Sequence, residues 1–284
     1  MTPPLPLPVV IINMEKSTDR LEKITENMND IGLKFTRFNA INGNQLTDQE
    51  VNDNTTFMCR NLLCSRSVIG CALSHITVWK NFLDNQYGTS DILCVMEDDI
   101  SISGDFPEFL NDIPSIRESL DFDMMRINCG TGNMTGEKIN MGKYKFIKNP
   151  VIPLSLACYI ITRKGAQKAL EILGESVPYI IDFSLGVGML FNNMSYLILV
   201  NPELVTLSLA NPSTINSNGT KGIMSIFKDG NLNWYLNIPV ASISTRHDIS
   251  LYTCILLVLL IIGIYHKWYI FSVIVLAELI MVNF

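Results

Sequence analysis

Glu97, Asp98 and Asp99 stand in a row directly after the apolar run Ile92-Leu93-Cys94-Val95-Met96. Three adjacent carboxylates repel one another, so a strand interior is a poor place for them. At the carboxyl end of a strand they can share a hard divalent cation, which takes oxygen ligands. Open α/β sheets bind their ligands just outside those ends. A cation held there suits a nucleotide diphosphate; the plain alternative is a solvated acidic turn. Asp182 is a second carboxylate of interest. Its apolar setting, Tyr179-Ile180-Ile181 before and Phe183 after, is expected to raise its pKa and suit it to take a proton. Its plain alternative is a helix N-cap. Asp121 and Asp123 are weaker candidates for the same task. Arg60 and Arg66 are available to a phosphate, and His75 lies beside the apolar stripe Ala72, Ile76, Trp79, Leu83. No Ser/His/Asp or Cys/His nucleophile arrangement and no Walker-type glycine loop occurs.

The elements that must position these residues are legible in part. Val9-Val10-Ile11-Ile12-Asn13 is β-branched and apolar, a buried strand. Leu21, Ile24, Met28 and Ile31 follow at helical spacing, Gly32 suits a C-terminal cap, and Lys34–Phe38 alternates as a second strand. A chain that opens strand–helix–strand points to a parallel sheet. Thr47 and Glu50 have capping-box spacing. Residues 52–67 read as irregular, 68–83 as a helix, 92–96 as a strand, 106–116 as a helix and 123–128 as a strand. Residues 129–149 read as loop or hairpin. Residues 155–161 read as a strand running into a helix over 163–173 that Thr162 caps, and 196–200 as a further strand.

Composition sets limits. Hydrophobic residues make up 48% of the chain and charged ones 17%, which is more apolar than an ordinary soluble domain. The excess sits in residues 249–284. The net charge of −6 gives no basis for nucleic-acid binding. Seven cysteines without a CxxC, and only three histidines, argue against a zinc site of the usual Cys/His kind and for buried free thiols in a reducing compartment. The N-terminus lacks the basic and apolar regions of a secretory signal. Residues 249–265 carry no charge, and a second apolar run after His266-Lys267-Trp268 is interrupted only by Glu278. Two short helices joined at Tyr265–Tyr269 as a hairpin fit this pattern better than one continuous span. Aromatic residues around Lys267 suit a membrane interface; the alternative is a pair of core helices.

Several of these stretches, in order, resemble glycosyltransferase family 25, the family of lipooligosaccharide and procollagen galactosyltransferases. They are Ile12-Asn13-Met14 with Arg20, Phe38-Asn39-Ala40-Ile41-Asn42-Gly43, and Ile69-Gly70-Cys71-Ala72-Leu73-Ser74-His75 with Trp79. Glu97-Asp98-Asp99 with Ile100 and Phe106 follows, then Ala157–Ala166 and Asp182. The resemblance covers roughly residues 9–215 and implies an α/β, GT-A-like nucleotide-sugar fold with a mostly parallel central sheet. It also implies a UDP-sugar donor and a divalent metal, manganese or magnesium. By that matching Asp99 is the principal metal ligand with Glu97 in support, and Asn13, Arg20, His75, Glu97 and Asp98 face the donor. By the same matching Asp182 is the candidate catalytic base, and the resemblance implies an inverting transfer. Glu97 departs from the aspartate the family carries as first acid.

The resulting expectation has three regions: a catalytic domain over 1–215, a connecting segment over 216–248, and C-terminal hydrophobic helices over 249–284. The protein is expected to move a hexose, galactose or glucose, to a lipid-linked or LPS-type glycan at the cytoplasmic face of a membrane, tethered by its tail. The rival expectations are a membrane-anchored, non-catalytic nucleotide-sugar or glycan-binding protein and a metal-dependent phosphohydrolase or nucleotidyltransferase.

Overall fold

The structure is a computed structural model that describes residues 7–57, 59–127, 136–149, 155–191, 194–207, 239–244 and 247–283. The chain opens with β1 (Val9–Asn13), α1 (Thr18–Asp30) and β2 (Thr36–Asn39). A tight turn over Gly43–Gln45 leads to α2 (Asp48–Asn54), which begins at the Thr47/Glu50 capping box read from the sequence. A π-helical turn, Cys59–Leu63, precedes α3 (Arg66–Leu83). Next come β3 (Ile92–Glu97), β4 (Ile100–Ile102), α4 (Phe106–Ser119) and β5 (Met124–Ile127). Then follow the hairpin β6 (Glu137–Met141) and β7 (Tyr144–Lys148), β8 (Cys158–Thr162), and α5 (Arg163–Leu173), which Thr162 caps through the Gly165 amide. α6 (Ile181–Phe191), β9 (Tyr196–Asn201) and β10 (Val205–Leu207) close this part, and β11 (Pro239–Ser244), β12 (His247–Ser250), α7 (Leu251–Tyr265) and α8 (Tyr269–Asn283) follow.

Eight strands form one sheet in the order β2-β1-β3-β8-β5-β9-β7-β6. β1 lies parallel to both β2 and β3, and β5 parallel to β9. β8 enters antiparallel between β3 and β5, and β7 runs against β9 and β6. The sheet is thus largely parallel, as expected, with two reversed strands. Strand direction is not written in a strand's own residues, so periodicity alone did not show the reversal of β8.

Both faces of the sheet are covered, which is why the central strands are continuously apolar. Successive side chains point to opposite faces. Val10 and Ile12 of β1, Leu93 and Val95 of β3, and Tyr159 and Ile161 of β8 pack on the side of α3, α5 and α6, with Trp79 and Phe82. Val9 and Ile11, Cys94 and Met96, and Cys158 and Ile160 pack on the side of α1 and α4, with Ile24, Met28 and Phe109. Two glycines set the position of α3. A Cβ on Gly70 would stand 2.5 Å from the Ile41 carbonyl oxygen, and one on Gly43 would collide with the Arg66 carbonyl. Their absence lets the loop after β2 lie directly on the first turns of α3, where the Ile41 amide donates to Ser74 Oγ at 2.8 Å.

Three expectations are corrected, and the rival reading of the C-terminal helices is settled. Cys59 and Cys64 are joined as a disulfide, while Cys71, Cys94, Cys158 and Cys254 are free; Cys129 lies outside the described residues. Arg66 is engaged by Asp48 and the Leu46 carbonyl, and Arg60 by the Thr55 carbonyl, so both are held by the α2 region. Asp123 sits at the amino end of β5, the pole of the sheet away from Glu97. There it pairs with Lys168 at 2.6 Å and accepts from the Ser195 amide, a structural anchor for α5 and β9. The C-terminal helices pack mainly on each other through Leu256, Val275 and Leu279 and leave long apolar surfaces exposed, which is not the arrangement of core helices. No helix among the described residues is long and apolar enough to cross a membrane.

Candidate active site

The carboxyl ends of β1 and β3 lie side by side, Ile12 opposite Glu97. The alternation of the strand then divides the three acids. Glu97 continues the series Leu93, Val95 and turns to the α3 face, where its Oε1 lies 3.2 Å from His75 Nε2. Asp98 turns to the α1 face. Its Oδ2 accepts from Asn13 Nδ2 at 2.6 Å and its Oδ1 from Arg20 at 3.1 Å. Asp99 lies in the turn to β4, with Arg20 3.9 Å away. Arg20 is only 9% exposed, so it is not part of a solvated helix face.

Asn13 and Arg20 therefore lie beside the acids, and their hydrogen-bond donors are directed at Asp98. Arg37 donates to Asn13 Oδ1 at 3.0 Å, which fixes the amide with its nitrogen toward Asp98 and the Ser17 carbonyl. Such charge-assisted bonds around a buried carboxylate hold it in one orientation. Burial still raises the Asp98 pKa, opposed by Asn13 and Arg20.

Asp99 differs. Its Oδ1 is buried and has no hydrogen-bond partner among the described residues. Burial, then the negative charges of Glu97 and Asp98, push its pKa up to about 7, against the pull of Arg20. A buried, unpartnered carboxylate oxygen beside two further acids is what a cation site looks like before the cation is present. Asp99, with Glu97 in support, fits a hard divalent ion.

His75 is 1% exposed. Trp79 Nε1 donates to the Tyr159 hydroxyl at 2.8 Å, and that hydroxyl lies 3.0 Å from His75 Nδ1. With the Tyr159 hydroxyl donating a hydrogen bond to Nδ1, Nε2 carries the ring hydrogen and donates to Glu97. One chain of bonds, Trp79–Tyr159–His75–Glu97, then sets the Glu97 carboxylate. Among the described residues His75 meets the acids through Glu97, and Trp79 is core. Cys71, one helical turn before His75, lies with its Sγ within 4.8 Å of the His75 and Glu97 donor atoms. Burial pushes the Cys71 thiol well up, helped by the charges of Glu97, Asp182 and Asp99.

The charge of Asp182 is felt by the Cys71 thiol. Asp182 lies in the first turn of α6, inside the helix and not at its N-cap. Its Oδ2 accepts from the Ser155 amide at 2.8 Å, and Ser155 adopts a positive φ of 80°. A non-glycine residue held there signals a constrained backbone. Residues missed from the sequence are Cys71, Tyr159, Ser155 and Arg37. The Cys71/His75 spacing of four on a helix was the one available signal.

The family model for glycosyltransferase family 25 (LPS biosynthesis protein) matches residues 7–185. A protein of Acanthamoeba polyphaga mimivirus named as a glycosyltransferase is 31% identical over 108 residues, 38% of this chain and 33% of that protein. A glycosyltransferase 25 family member of Anopheles gambiae is 27% identical over 173 residues, 57% of this chain and 28% of that protein. The chain thus spans about a third of the length of the curated relatives it matches. Among solved structures, a glycosyltransferase involved in glycosylation of the major capsid of PBCV-1 aligns with TM-score 0.39 and 8% identity, over 72% of this chain and 94% of that one. The matched segment runs from β1 into α6 and takes in Asn13, Arg20, His75, the three acids and Asp182, and on that match the chain belongs to glycosyltransferase family 25.

Proposed function

We propose that the protein is a metal-dependent glycosyltransferase of GT-A-like architecture, transferring a hexose, galactose or glucose, from a UDP-sugar to a glycan acceptor of lipid-linked or LPS type, with inversion. The observation that carries this reading is the unpartnered Asp99 Oδ1 at the carboxyl end of the sheet, in a chain of this family. Asp99 and Glu97 would hold the divalent ion, manganese or magnesium. When bound, that ion supplies positive charge against the negative charge developing on the leaving diphosphate.

The residues of the chain do the rest. Asn13, Arg20 and Arg37 hold Asp98 and keep the end of β3 rigid under the donor. The Trp79–Tyr159–His75 chain orients Glu97. Asp182, steadied by the Ser155 amide, takes the proton from the acceptor hydroxyl. The acceptor oxygen forms its bond to the anomeric carbon from the face opposite the diphosphate. The bond to the diphosphate oxygen breaks, and its electron pair leaves with UDP. The apolar hairpin α7–α8 would hold the enzyme at the cytoplasmic face of a membrane, where a lipid-linked acceptor is within reach.

The test is UDP release from a panel of UDP-hexoses in detergent with a glycan extract as acceptor, with manganese, with EDTA, and with Asp99→Ala. Release from one donor that EDTA and Asp99→Ala both abolish is expected. Release untouched by Asp99→Ala would remove the metal assignment, and release of phosphate or pyrophosphate in place of UDP would remove the transferase.

A further inference from the structure

We propose that Cys71, His75 and Glu97 form a binding site for a thiophilic divalent cation of the zinc class, separate in ligand chemistry from the oxygen site at Asp99. Cys71 and His75 are four residues apart on α3, so they project from one face of the helix one turn apart. Glu97 comes to the same point from the end of β3. One donor atom from each, Cys71 Sγ, His75 nitrogen and Glu97 oxygen, lie within 4.8 Å of one another. Zinc bonds to sulfur, nitrogen and oxygen at about 2.0–2.3 Å, so ligand atoms around one ion stand about 3–4 Å apart, and this set needs only to draw together to enclose one.

The donor set selects the ion. Thiolate and imidazole favour zinc, cobalt or cadmium, and disfavour magnesium and manganese. Three protein ligands leave a fourth position open, as in exchangeable or catalytic zinc sites and unlike closed structural ones.

The surroundings also fit. A histidine that binds a metal through one ring nitrogen almost always bonds the other to a second group that fixes the ring. His75 Nε2 faces Glu97, and Nδ1 already meets the Tyr159 hydroxyl at 3.0 Å. On binding, the proton moves to Nδ1 and is donated to the Tyr159 oxygen without rotation of the ring. The Cys71 proton leaves to solvent as the sulfur–metal bond forms. Glu97 has a second oxygen, so a cation here does not by itself remove Glu97 from Asp99.

The experiment uses the full chain, metal-free and with the Cys59–Cys64 disulfide intact, titrated with cobalt(II) and separately with zinc(II) followed by mass measurement of the intact protein. A near-ultraviolet thiolate-to-cobalt charge-transfer band is expected in the wild type, displaced by one equivalent of zinc, untouched by excess magnesium. Cys71→Ser is expected to abolish the band and lower zinc affinity at least about tenfold, with its metal-free melting temperature unchanged. Cys254→Ser is expected to keep both. No band in the wild type, or a band that survives in Cys71→Ser, overturns the proposal. Should Cys71→Ser melt early, His75→Gln read by the same band decides. None of these readouts depends on sugar transfer, so failure here and failure of the transferase reading are distinguishable.

Discussion

At the scale of the residue, the three acids are chemically alike but do three different things, because the strand turns them to different neighbours. Asp98 is bound by Asn13 and Arg20 inside the protein. Asp98→Ala leaves Arg20 without that carboxylate, and is expected to cost about 3–5 kcal/mol of stability, measured by urea unfolding. Asp99 is the reverse case. Its folded pKa is about 7, against 3.8 for the ordinary side chain. Between those values the folded state binds a proton that the unfolded chain has released. Stability of the metal-free protein therefore falls as pH rises through that window, by on the order of 2–4 kcal/mol for a shift of this size. Asp99→Asn cannot ionise. In EDTA it is expected to be more stable than the wild type above the window and to match it at the acid end. Equal urea midpoints at both ends would mean that Asp99 does not carry the strain assigned to it. The three acids and their place after a strand were legible in the sequence. Their division was legible in principle too, since Leu93, Val95 and Glu97 share one face, but which helix covers each face is a matter of topology.

At the scale of the element, α3 carries His75 and Cys71 to Glu97, and the close approach at Gly70 sets how far it comes. Gly70→Ala puts a Cβ 2.5 Å from a backbone oxygen and 2.6 Å from the Gly43 nitrogen, and backbone cannot step aside as a side-chain tip can. The expected cost is about 1–3 kcal/mol. Metal-dependent UDP release is expected to fall with it, because His75 moves away from Glu97. Gly104→Ala, with nothing within 4 Å, is the control and is expected to stay within about 0.5 kcal/mol of the wild type. Gly70 and Gly43 were visible as parts of two ordered motifs, but a sequence does not say that the two motifs touch. The reversed strand β8 was hidden for the same reason. Its residues read as a buried strand in either direction, yet the reversal is what brings Tyr159 beside His75 and Ser155 beside Asp182.

At the scale of the whole molecule, the chain joins a charged, hydrogen-bonded cluster of acids to a hairpin that is apolar nearly all round. Ser250 caps α7 through the Thr253 amide, and Tyr252 donates to Glu278 at 3.0 Å, so the hairpin answers its one carboxylate internally. Outward it shows Ile261, 66% exposed, and Ile270, 81% exposed, with Tyr265, Trp268 and Tyr269 around Lys267 at the turn. A protein partner would cover one face of such a hairpin; a lipid phase covers all of them. Each helix has 15 residues, about 22 Å of helix, short of the roughly 30 Å hydrocarbon core of a bilayer. The hairpin is therefore expected to lie within one leaflet and its interface, with the aromatic turn at the headgroups. The full chain is expected to sediment with phosphatidylcholine vesicles. Because the net charge is −6, the attraction is apolar and not ionic, so sedimentation is expected to persist when salt is raised far enough to screen surface charge. Ile261→Glu with Ile270→Glu changes two exposed positions, leaves the fold's own contacts in place, and is expected to release the protein into the supernatant at least about tenfold. A double variant that still sediments, or a wild type that comes off the vesicles in salt, would place the membrane contact elsewhere on the molecule.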